Sequence, residues 1–221
     1  MPMKKFALCL MLPMLLCSNF SVAFAQKGVD LININGQFVI AARAGNVARV
    51  QALLEQGAKV NSRDRNGDSA LNMAAVKGNV ALVDVLLQAD ADVNLANIAG
   101  VTPLMGATFG GSGELVRKLI AAKADTAPLD RVKKNAATYA AANGCTECLA
   151  ELLRAGTQVN ARLENDLTLL MWAAAYGHEA TVRFLLAQGA ERHLKDARGK
   201  TALDMAKEAE YGAVVAMLAK K

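Results

Sequence analysis

Cys145-Thr146-Glu147-Cys148 is the stretch of this chain whose residue types and spacing most suggest chemistry. Two thiols at this spacing can exchange with a disulfide, the first attacking as thiolate and the second resolving the mixed species. Gly144 precedes them, so Cys145 falls at the expected start of a helix, where the helix dipole lowers a thiol's pKa. Yet a lone CxxC outside a thioredoxin-like βαβ pattern is weak evidence for redox work. Cys148 also occupies the place that Leu82 and Leu115 take elsewhere in the chain, which points it into a core. A pair of core thiols or a local structural disulfide is therefore the first reading. A thiol redox protein using Cys145 and Cys148 in oxidative-stress defence is the alternative. Zinc lacks ligands, because the chain has only two histidines and a structural site takes four donors. Neither His178 nor His193 has a Ser-Asp or Cys partner whose adjacency the sequence supports. Glu114, Glu147, Glu151 and Glu179 fall on expected outer helices and read as a solvated face. No catalytic residue, metal or cofactor is assigned, and the chain is not read as an enzyme.

The elements that would carry these residues recur. Gly36, Ser69, Thr102, Asn135, Thr168 and Thr201 mark six copies of one pattern, each 33 residues beyond the last. Five places after each comes Ala41, Ala74, Ala107, Ala140, Ala173 or Ala206. Nine places after come Gly45, Gly78, Gly111, Gly144 and Gly177, with Glu210 as the exception. Leu53-Leu54, Leu86-Leu87, Leu119-Ile120, Leu152-Leu153 and Leu185-Leu186 repeat in register. Each unit reads as two short helices and an extended finger. Small pairs such as Ala74-Ala75 let a neighbouring helix approach, and the following Gly suits a left-handed helix end. The second helix carries apolar residues at helical spacing, as in Leu82, Val83, Leu86 and Leu87, and is expected to bury them, with Leu86 and Leu153 on the inner face. A unit that cannot cover its own apolar face must stack on the next.

Thr102-Pro103-Leu104, Thr201-Ala202-Leu203, Gly177-His178 and Gly189-Ala190, set in this register, resemble the ankyrin repeat family. The resemblance implies an all-α solenoid of six helix-turn-helix units with β-hairpin or finger loops, capped at both ends. The units fall near 34–66, 67–99, 100–132, 133–165, 166–198 and 199–221, within a domain spanning 26–221. It also implies protein binding through the finger tips and first helices, which line a concave groove. In that frame Trp172 sits at a place that usually packs inside and is read as core.

Departures from the pattern select candidate contacts. Gly67, Gly100 and Gly199 hold a finger position that Lys133 and Asp166 take in the fourth and fifth units. Thr126-Ala127 replaces the Val-Asn seen at Val60-Asn61, Val93-Asn94 and Val159-Asn160. This altered finger is expected to meet a partner's acidic groups through Arg131 and Lys134. The frame places Val76, Lys77, Phe109, Asn143 and Tyr176 at the groove end of the first helices. It places Ile98, Val101, Val132 and Leu167 on the fingers. An apolar cluster rimmed by charge is what an interface looks like, and aromatics anchor interfaces well.

The amino end reads as a secretory signal over residues 1–25. Lys4 and Lys5 precede an apolar run from Phe6 to Leu16, too short to span a membrane, and Ala23-Phe24-Ala25 offers a cleavage site. A lipid-attachment role for Cys17 is disfavoured because Leu16, not a small residue, precedes it. Removing the segment takes two lysines and no acid, so the formal charge drops from +5 to +3. So weak a charge argues against nucleic acid as partner. The expectation is an exported, periplasmic monomer with no membrane anchor after cleavage, binding another protein. A sharper form makes that protein an enzyme which the chain inhibits or protects.

Overall fold

The computed structural model describes residues 34–219, so the signal-peptide reading and Lys220-Lys221 lie outside the described residues. Among the described residues twelve α-helices form six antiparallel pairs. They are α1 (34–44) with α2 (Val47–Glu55), α3 (Ala70–Val76) with α4 (Val80–Gln88), and α5 (Pro103–Phe109) with α6 (Gly113–Ala121). Then come α7 (Ala136–Ala142) with α8 (Thr146–Arg154), α9 (Leu169–Ala175) with α10 (Glu179–Ala187), and α11 (Ala202–Glu208) with α12 (Gly212–Ala219). First helices pack on first helices and second on second, in one row.

The repeated Ser or Thr has a definite task. Ser69, Thr102, Thr168 and Thr201 are N-caps of α3, α5, α9 and α11, each accepting from a backbone N–H one turn in, and Asn135 caps α7 in the same way. These helices have seven residues apiece, too few to persist alone in water. Packing holds them. Ala74, Ala107, Ala140, Ala173 and Ala206 are fully or nearly fully buried, and their small side chains set the close approach between first helices. At Gly144 the need for glycine is twofold. Its φ of +72° is left-handed, and an added Cβ would lie 2.7 Å from the His178 ring of the next unit.

In each Leu-Leu pair the first member is the core residue. Leu53, Leu86, Leu119, Leu152 and Leu185 are buried, whereas Leu54, Leu87, Ile120, Leu153 and Leu186 are half-buried. Cys148 is buried on the same face as Leu82 and Leu115, as the register requires. Glu151 corrects the expectation of a uniformly solvated outer face. Its side chain is only 13% exposed, held between Arg117 at 3.0 Å and Arg154 at 2.7 Å. The bond from Arg117, reinforced by Arg154, holds its carboxyl below the usual range.

The fingers are turns rather than hairpins. Among the described residues one isolated antiparallel bridge, Arg63 to Ser69, is the whole of the sheet structure. A finger is too short for a ladder of its own, so its order comes from its neighbours.

Replacing Leu152 by Ala should cost about 2–5 kcal/mol in chemical unfolding, and Leu86 likewise. Leu153→Ala should cost about 1 kcal/mol or less, because that side chain already meets solvent. Equal losses at 152 and 153 would contradict this assignment of the inner face.

Candidate functional site: the concave face and an open finger junction

The fingers span 64–68, 97–101, 130–134, 163–167 and 196–200, here fingers one to five. In four of the five, the side chain at the first position bonds back to the turn. Asp64 Oδ1 accepts from the N–H groups of Asn66 and Asp68, Asp130 Oδ1 from Val132 and Lys134, and Asp196 Oδ1 from Arg198 and Lys200, at 2.8–2.9 Å. Asn97 Oδ1 accepts from Val101 N–H in the same way. In finger four this position is Leu163, which has no acceptor to offer. That finger keeps the backbone bonds of the others, Leu163 N–H to Leu167 O and Asp166 N–H to Leu163 O, but lacks the side-chain ones. Glu164–Asp166 form a short 3₁₀ turn with Asn165 and Asp166 both at left-handed φ.

The consequence is a gap. Successive fingers are otherwise tied by one backbone bond each. Ile98 N–H donates to Asn66 O at 3.0 Å, Arg131 N–H to Ala99 O at 2.9 Å, and Ala197 N–H to Asn165 O at 2.9 Å. The equivalent pair between fingers three and four, Glu164 N–H and Val132 O, is not bonded, and neither atom has another hydrogen-bond partner among the described residues. A second series fails at the same junction. Asn61, Asn94 and Asn160 accept with Oδ1 from Asp92, Asp125 and Glu191 N–H of the following unit, but Ala127 cannot do this for Gln158. The helices remain packed here. Thr146 Oγ1 meets Thr181 Oγ1 at 3.0 Å, and His178 Nε2 lies 2.8 Å from Ala142 O.

Lys133 fits this opening. At Gly67 and Gly100 an added Cβ would lie 2.9–3.0 Å from backbone of the next finger. Lys133 holds the same left-handed φ, +60°, with a side chain that lines the opening. The space left is a cleft of about 140 Å³ lined by Val132, Lys133, Lys134, Thr138, Leu163, Glu164, Asn165, Leu167 and Trp172.

Beside the cleft runs a strip of rings. Phe109 meets Tyr139 edge-on, with centroids 6.1 Å apart, and Trp172 stacks on Tyr176 at 6.2 Å. Lys134 joins the two pairs, its Nζ 5.8 Å from the Tyr139 centroid and 4.8 Å from that of Trp172. Trp172 is therefore not core. It packs against the core but is half-buried, and it lines the cleft with Lys134 over its ring. Tyr139 donates its hydroxyl to Asp130 Oδ2. Desolvation, and then that bond to a carboxylate, push its pKa up to about 12.

Of the residues selected from sequence, Ile98, Phe109, Val132 and Tyr176 are more than half exposed, and Val76 is 43% exposed. Arg131 is also exposed. Lys77 and Asn143 are exposed but engaged with the preceding unit, Lys77 Nζ on Arg43 O and Asn143 Nδ2 on Phe109 O. Val101 and Leu167 are half-buried, Leu167 in the cleft wall. Lys134 is half-buried over the rings. Cys145 and Cys148 form a disulfide, with Cys145 as N-cap of α8 and its Sγ accepting from Cys148 N–H at 3.2 Å. Tyr139, Trp172 and Leu163 complete the site and were not selected.

In native-state amide exchange, Ile98, Arg131 and Ala197 should be protected while Glu164 exchanges freely. Comparable protection at Glu164 would mean the junction is closed. In an ultraviolet titration Tyr139 should form phenolate near pH 12. Because folding raises this pKa, the stability it confers is complete below about pH 10 and disappears as pH rises through 12. Tyr139→Phe should abolish the late step, and its survival in that variant would refute the assignment.

Similarity to known proteins agrees with this architecture. Residues 38–130 and 137–221 match the family description "Ankyrin repeats (3 copies)". The crystal structure of EF0377, an ankyrin repeat protein, superposes with a TM-score of 0.75 at 25% identity, covering 84% of this chain and 97% of that one. The human DNA-binding protein RFXANK is 43% identical over 67 residues, a stretch spanning 30% of this chain and 26% of that protein. This chain thus spans about a quarter of that relative's length. With its N-capped helix pairs stacked in register and its fingers ranged along one face, the chain belongs to the ankyrin repeat family.

Proposed function

We propose that this chain is an exported, periplasmic protein that binds another protein along its concave face. The general role follows from the family, since ankyrin repeats are protein–protein interaction modules. Among the described residues no helix is long and apolar enough to cross a membrane. Export rests on the signal-like sequence of residues 1–25.

The observation that carries the proposal is the ring strip. Phe109 and Tyr176 are 59% and 51% exposed, a large cost for a surface with no further use. Together with Tyr139, Trp172, Ile98 and Val132 they give an apolar centre bordered by Arg131, Lys133 and Lys134. Interfaces have that composition, with aromatic anchors surrounded by a polar rim. The disulfide serves the scaffold in this reading, since it fastens the first turn of α8 and Cys148 is wholly buried.

Affinity capture from a periplasmic extract, followed by mass spectrometry, checks the proposal. A protein retained by the wild type should be lost from the Phe109→Ala, Tyr176→Ala double variant, with thermal unfolding nearly unchanged. Retention of the same protein by the double variant would place the interface elsewhere.

A further inference from the structure

The unmade bond in the cleft describes its missing occupant. Val132 O on one wall lacks a donor and Glu164 N–H on the other lacks an acceptor, at the register where every other finger junction pairs them. An extended peptide carries donors and acceptors along both edges and can satisfy the two walls together. Between the walls the lining is apolar, supplied by Val132, Leu163, Leu167 and Trp172. Charge also discriminates. Arg131, Lys133 and Lys134 lie within four residues, and none enters an ion pair among the described residues. On the opposite lip Glu164 is the one carboxylate without such a pair, since Asp166 pairs with Arg162 at 3.5 Å. The excess is cationic.

We infer that the cleft between fingers three and four anchors an extended acidic segment of the partner protein. One aliphatic side chain sits against Leu163, Leu167 and Trp172. The segment's backbone bridges Val132 O and Glu164 N–H, and a neighbouring carboxylate meets Lys133 and Lys134. This rests on the concave-face reading and specifies the partner's chemistry.

The test selects ligands from a random-peptide phage library on the purified protein. Synthesised hits are then titrated by the fluorescence of Trp172, the sole tryptophan. Enriched peptides should carry Asp or Glu beside an aliphatic residue, and should bind less tightly as salt is raised. Leu163→Asp restores to finger four the side chain that closes the other fingers. It should bring Glu164 N–H onto Val132 O, seen as new amide protection, while weakening peptide binding tenfold or more. Lys134→Glu should weaken it by a similar factor. Melting temperature and circular dichroism show whether either variant has lost its fold. Hits without acidic preference overturn the inference, as does an affinity unchanged in both variants, or a selection that yields no binder. Hits that are insensitive to Leu163→Asp and Lys134→Glu but lost in the Phe109→Ala, Tyr176→Ala variant leave the concave face standing and remove only the cleft. Hits insensitive to all of these variants remove both.

Discussion

First helices of seven residues have no stable existence apart from their neighbours, and everything else in this protein answers to that dependence. A single pair of helices presents an apolar face that nothing within the pair can cover. Ala74, Ala107, Ala140, Ala173 and Ala206 make close stacking possible, and the leucines of the second helices fill the layer behind them. Most junctions add two polar ties, a backbone bond between fingers and an Asn side chain reaching the next unit. Where both ties are missing the row stays intact, because the helical layers still pack and His178 still reaches Ala142 O. Stability and recognition are thus separable, the first residing in the helices and the second in the fingers.

That separation explains how an apolar, cationic opening can sit at the centre of the concave face without loosening the fold. Finger three keeps its closed turn through Asp130, whose other carboxylate oxygen fixes the Tyr139 hydroxyl. Tyr139 in turn supports Phe109 from the side, and Lys134 spans Tyr139 and Trp172. The rings are held by elements on both sides of the gap, so little ordering is left to be done on binding. The concave surface is a joint product of three consecutive units, and no one of them could present it.

Much of this could be seen in the residues. The 33-residue register located the helices, the caps and the buried place of Cys148, and exposure at Phe109 and Tyr176 followed from position alone. Two readings erred for one reason, that a family place is not an environment. Trp172 holds a place that is ordinarily covered, yet here its ring lines the cleft with Lys134 over it. Leu153 shares the repeated Leu-Leu pair, yet only Leu152 faces inward. The decisive signal lay three residues before the Gly position that drew attention. Asp64, Asn97, Asp130 and Asp196 align there with Leu163. A side chain unable to accept a hydrogen bond was visible in the sequence. Its effect on the neighbouring finger was not, because that depends on a contact between units.

The most direct trial is a crystal structure of the protein with the partner it captures. The account requires partner chain lying across Phe109, Tyr139, Trp172 and Tyr176, with one residue inserted between Val132 and Glu164. A partner seated on the outer face of α4, α6, α8 and α10, with the cleft vacant, would contradict it.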